Sequence, residues 1–131
     1  MRVSFRTVVA VLFSVVVLSS GLALSAQAPD QNVKTIAGIL AKLNHFANDA
    51  EKKTLQGIVA STTASANDKV LAQALMNVQH TATADDKVKL EALSKDAAAS
   101  EAQRTIAGVL AGLNHTASAA QKEVLAKLAA G

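Results

Sequence analysis

Three histidines are the only reactive groups that recur in this chain. His45, His80 and His115 stand 35 residues apart, and each directly follows an amide, in Asn44-His45, Gln79-His80 and Asn114-His115. Imidazole is the commonest metal ligand, and the chain has no Cys to compete with it. The chemistry such a set could do is ligation of a transition metal or haem. The competing role is structural. A histidine near a helix C-terminus can bond the free carbonyls there, and its cation suits the negative end of the helix dipole. The spacing favours the cap, because strong helical metal sites pair histidines at i and i+4. In a linear stack of repeats, equivalent residues would also lie roughly 10 Å apart, the distance between packed helices. One ion could meet all three only in a closed three-fold arrangement, or with help from a second chain. Helix capping is therefore the preferred role, and a metal site at His45, His80 and His115 the alternative.

Other reactive groupings carry less. Asp85-Asp86 with Glu91, and Asp49 with Glu51, could pass for catalytic carboxylate pairs, but they fall in first-turn positions that favour acids. The serines lack a Gly-x-Ser-x-Gly elbow. The absence of Cys removes thiol catalysis and thioether-linked haem. Lys34, Lys52, Lys69, Lys87, Arg104 and Lys122 recur with the helix period. Acids stand near them and aromatics for base stacking are missing, so they are expected on a solvated face with local ion pairs, not on nucleic acid. No catalytic residue is assigned, and the chain is not expected to be an enzyme.

The elements that must position the histidines follow from an internal repeat. Thr35–His45 returns as Thr105–His115 with nine of eleven positions identical, and Val70–His80 is a weaker copy midway. The units are 34–68, 69–103 and 104–131. Residue types favoured at a helix N-cap recur at Asp30, Asn48, Ser65, Thr83, Ser100 and Ser118. Three positions after five of them stand Glu51, Asp68, Asp86, Gln103 and Gln121, approximating the capping box. Six starts imply six helices of about 12–14 residues joined by tight turns. Val33, Ile36, Leu40 and Leu43 recur at steps of three and four, as do Leu71, Leu75 and Val78, and Ile106, Leu110 and Leu113, which is helix periodicity. The second helices are thinner, with Leu55 and Ile58, Leu90 and Leu93, Leu125 and Leu128. Gly38 and Gly108 are costly inside helices, so a neighbouring helix is expected to come close there.

The expected fold is all-α. Three helical-hairpin repeats of about 35 residues form a short α-solenoid or a compact six-helix bundle. The period is similar to that of tetratricopeptide repeats, but that family's Trp, Tyr and late Pro landmarks are absent, so only the geometry is shared. Phe46 is the one aromatic after the leader, so the core must be built of small side chains.

Residues 1–28 read as a secretory signal peptide. Arg2 and Arg6 precede an apolar run from Val8 to Leu18, and Ala26-Gln27-Ala28 supplies the small residues of a cleavage site after Ala28. The remaining 103 residues carry 11 basic and 10 acidic side chains, so the net charge falls from +3 to +1. Residues 29–131 are expected to be a single domain, exported to the periplasm or medium and not membrane-bound. The expected function is non-enzymatic: binding a protein or peptide partner, or self-assembly, through exposed faces near Lys42, Met76 and Asn77, where the repeats diverge. The alternative is an envelope protein that binds a metal or haem through the three histidines.

Overall fold

The computed structural model describes residues 30–131, and the expected signal peptide and its cleavage position lie outside the described residues. Six α-helices follow one another: α1 Gln31–Lys42, α2 Asp49–Ala60, α3 Ala66–Asn77, α4 Ala84–Ser94, α5 Glu101–Ala111 and α6 Ala119–Ala130. Among the described residues there is no strand, only isolated bridges in the turns. Four helices have 12 residues, within the expected 12–14, and α4 and α5 have 11.

Each helix begins where a short polar side chain can replace a missing helical acceptor. Asp30, Asn48, Ser65, Thr83, Ser100 and Ser118 all occupy the N-cap, and each accepts from the backbone N–H three residues on. Asn48 with Glu51, Ser100 with Gln103 and Ser118 with Gln121 complete the reciprocal box. Each such cap stabilises its helix by about 1 kcal/mol. This local punctuation keeps short Ala-rich helices in register.

The odd helices supply most of the core. Val33, Ile36 and Leu40, then Leu71 and Leu75, then Ile106 and Leu110 are at most 1% exposed. Leu55, Leu90 and Leu125 complete it from the even helices, each fully buried. Ala37, Ala72 and Ala107 are fully buried too, small enough to let helices approach closely. The two glycines do not serve that purpose. A Cβ on Gly38 would meet Ala129 at an ordinary 3.7 Å, and one on Gly108 would face open space.

Packing decides between stack and bundle. The extensive pairings are α2 with α3, α4 with α5, and α1 with α6. The first and last helices therefore close the set into a ring, which an open solenoid would not do. The tightest pairs straddle the sequence repeat, each joining the second helix of one unit to the first helix of the next. Meanwhile α1, α3 and α5 contact one another and form the inner layer around a pseudo-three-fold axis. Reversal at each tight turn sends all three inner helices toward the same end of the bundle.

At the opposite end, the third helical positions of the inner helices are Val33, Asp68 and Gln103, all buried. Gln103 donates through Nε2 to Asp68 Oδ1 at 2.7 Å and to Ser65 Oγ at 3.2 Å. Asp68 Oδ2 is buried without a hydrogen-bond partner. Asp68 is thus an interior link between α3 and α5 as well as a residue of the first turn. The expected ion-pair lattice is also sparse. The single ion pair among the described residues joins Glu123 to Lys127, neither of them in the recurrent basic row.

Candidate functional site

The turns after α1, α3 and α5 meet where the inner helices end. α1 and α3 stop at the extended cap residues Leu43 and Val78, whereas α5 is capped one position earlier, at Gly112, which is followed by Leu113. Leu43, Val78 and Leu113 are buried, and Ala47, Ala82 and Ala117 anchor the far side of each turn. Between these anchors the chain must reverse in three residues. The central residue is the histidine, and its φ is positive in all three copies: 72° at His45, 70° at His80 and 65° at His115.

Two of the turns are closed by a hydrogen bond across the histidine. Phe46 N–H donates to Asn44 O at 3.0 Å, and Thr116 N–H to Asn114 O at 2.8 Å. A three-residue turn with positive φ at its centre is rare and strained. In the middle copy the pair is bonded in the opposite sense, from Gln79 N–H to Thr81 O at 3.3 Å. The strain is held by a ring of backbone bonds. His45 N–H donates to His115 O at 3.1 Å, His115 N–H to His80 O at 2.6 Å, and His80 N–H to His45 O at 3.0 Å. Each histidine gives one hydrogen bond and accepts one, so the three turns lock one another.

This ring brings the side chains together. The imidazole centroids lie 5.1 Å (His45–His80), 5.5 Å (His45–His115) and 4.9 Å (His80–His115) apart. The separation of about 10 Å that a linear stack would impose does not apply, because the repeats take the closed arrangement around an axis. The cap geometry is not what the rings adopt either. Among the described residues, the one hydrogen bond from these rings runs between His115 Nδ1 and Asn114 Oδ1, at 2.7 Å. The helix carbonyls are met by backbone instead, as when Leu43 N–H donates to Leu40 O. His45 is half-buried, while His80 and His115 are exposed. As the rings stand, no three His, Asp or Glu side chains among the described residues are aligned to hold a metal ion.

Beside this triad a cleft of about 300 Å³ opens between Phe46, Lys52, Met76, Val78, Gln79 and His80. Phe46 is 56% exposed, and Lys52 Nζ stands 5.8 Å from its ring centroid, over the π face. This cleft breaks the three-fold pattern, since Thr81 and Thr116 replace Phe46, and Ala41 and Ala111 replace Met76. Of the three residues expected at a binding face, only Met76 lines it. Lys42 is exposed elsewhere on α1, and Asn77 is occupied, donating to Asp86 Oδ2 at 3.0 Å. Sequence reasoning missed Phe46, Lys52 and Gln79. The available signal was an unpaired aromatic at a turn position where both other copies carry Thr.

The expected carboxylate pairs serve the helices. Glu51 accepts from Asn48 N–H, and Asp86 accepts from the Thr83 hydroxyl and from Asn77. No helix among the described residues is long and apolar enough to cross a membrane. Comparison with protein-family models, with characterised proteins and with solved structures finds no match.

Proposed function

We propose that this chain is an exported, non-enzymatic helical-repeat protein that binds a peptide segment of another protein in the Phe46–Met76 cleft. The observation that carries the reading is the cleft's composition. The chain's one aromatic outside the leader is spent on the surface, 56% exposed, opposite a methionine that neither other repeat has. A buried position would have gained about 1.5–3 kcal/mol of burial free energy from such a ring. Aromatic and Met side chains are the usual anchors of binding surfaces, and Met re-packs readily around a guest. Lys52 on the rim adds a cation. The cognate segment is therefore an apolar side chain next to an acidic one.

The test is selection of displayed peptides on residues 29–131, followed by fluorescence anisotropy of the selected sequences. Phe46→Ser and Met76→Ala should each weaken binding at least tenfold. Val124→Ser, on α6, should not. Selected peptides that bind both cleft variants as well as the parent protein would sink the proposal.

A further inference from the structure

The histidine ring adjoins the peptide cleft and shares His80 with it, but the other two histidines lie outside the cleft. The Thr35–His45 segment and its two copies share only three residues throughout: the alanines 37, 72 and 107, the leucines 40, 75 and 110, and the histidines. The alanines and leucines are fully buried, so packing accounts for them. The histidines are half-buried or exposed, their rings meet one another, and they make almost no hydrogen bonds through those rings, so burial in the core does not account for them. They also sit at the one strained backbone position of each repeat, where Gly would relieve the strain. Strain of this kind, held in place by its surroundings, is a feature of functional sites.

The spacing suits a metal ion as well as it suits edge-to-face ring packing. An imidazole nitrogen binds Zn²⁺ at about 2.0–2.1 Å, which puts the ring centroid about 3.2 Å from the ion and tetrahedrally disposed centroids about 5.2 Å from one another. The observed separations, 5.1, 5.5 and 4.9 Å, bracket that value. Haem held between two imidazoles would need centroids on opposite faces and about 6.4 Å apart, so a bare ion fits better. What differs from a loaded site is ring orientation: two pairs are near perpendicular, at 89° and 88°, and the third is tilted by 54°. Turning a surface imidazole about its second side-chain torsion is soft. The backbone, which is not soft, already holds the three origins in place.

We propose that His45, His80 and His115 together bind one divalent first-row transition ion on the pseudo-three-fold axis, with its outward coordination position open. Imidazole donors suit Zn²⁺, Ni²⁺ and Cu²⁺. When His115 Nδ1–H donates to Asn114 Oδ1, the Nε2 lone pair is free to ligate, and this is the outer-shell bond that fixes a metal-binding tautomer. Asn44 and Gln79 hold the same place before the other two histidines. Lys52, Lys87 and Lys122 begin the helices that leave the three turns.

The experiment is titration of residues 29–131, which contain all six helices and the whole described core, with Zn²⁺ alone by calorimetry, and with Co²⁺ by visible absorbance. The expected result is one ion per chain and an intense low-symmetry Co²⁺ band. Each single His→Asn variant should bind at least 100-fold more weakly while keeping the helical circular dichroism of the parent. Phe46→Ser and Met76→Ala should bind the ion unchanged, which separates this site from the peptide cleft. Binding that survives the triple His→Asn variant would overturn the proposal, as would one ion shared by two chains. It would be overturned equally if inorganic phosphate, and not metal, raised the melting temperature through these residues.

Discussion

Replacing the three histidines by glycine should make the metal-free protein more stable. The perturbation is His80→Gly, then the triple His45→Gly, His80→Gly, His115→Gly variant. Each histidine is held at a φ between 65° and 72°. A non-glycine residue in such a region costs about 1–3 kcal/mol. Glycine removes that cost but gives the unfolded chain more freedom, worth about 0.4–1 kcal/mol in the opposite direction. The His80 ring is exposed, so little burial is lost. The backbone donors and acceptors of the ring of turns are untouched by the change. The net expectation is a gain of roughly 0.5–2 kcal/mol at His80. In a domain of this size each 1 kcal/mol moves the melting temperature by about 4–8 °C. The three sites share one network, so their gains will not simply add. His80→Ala should stay close to the parent, because it keeps the strain, and His80→Val should fall below it, because a β-branched residue tolerates positive φ worst. Thermal and urea denaturation with EDTA present would measure the series. If His80→Gly lost more than about 1 kcal/mol, the imidazole itself would be holding the fold, and the reasoning from backbone strain would be wrong.

Three further outcomes follow from the packing. Leu75→Ala, at a fully buried position of an inner helix, should cost about 2–5 kcal/mol in urea denaturation, whereas Val88→Ala, 70% exposed on α4, should change stability by less than about 0.5 kcal/mol. Gln103→Leu should cost about 2–3 kcal/mol, because it strips Asp68 of its interior donor. The double change with Asp68→Leu should recover most of that loss, and a thermodynamic cycle would show the coupling. Ser118→Ala should cost about 1 kcal/mol and speed amide exchange in the first turn of α6 before it does so elsewhere.

The legible part of this molecule was local. An N-cap is decided by one side chain and the three residues after it, so all six starts from Asp30 to Ser118 could be read directly. The buried stripes were legible for the same reason: Val33, Ile36 and Leu40 share a face whatever the helix packs against. Closure was not legible, because a period of 35 residues is equally compatible with an open stack and a ring. The difference rests on α1 meeting α6, a contact between the most distant helices in the sequence. Everything that depended on closure was hidden with it. The histidines would lie far apart in a stack and meet only in a closed arrangement, so their spacing could not be read before closure was known. Asp68 was read only as a capping-box residue, and the ring turns it toward Gln103 of the next repeat. Phe46 offered a cue that went unused, since Thr at both equivalent positions marked it as an exposed turn residue.

The pairing of the first and last helices also shapes how the chain comes into being. A ribosome delivers α1 first and α6 last, so the apolar stripe of α1 emerges long before its main cover exists. The pairs α2 with α3 and α4 with α5 are joined by short links and can zip up as they appear. The outer face of α1 is covered only when α6 returns to it. Late closure of this sort makes assembly slow relative to helix formation, since the longest loop must be shut last. Until then α1 remains a sticky end, open to capture by a chaperone or by the α6 of a second molecule.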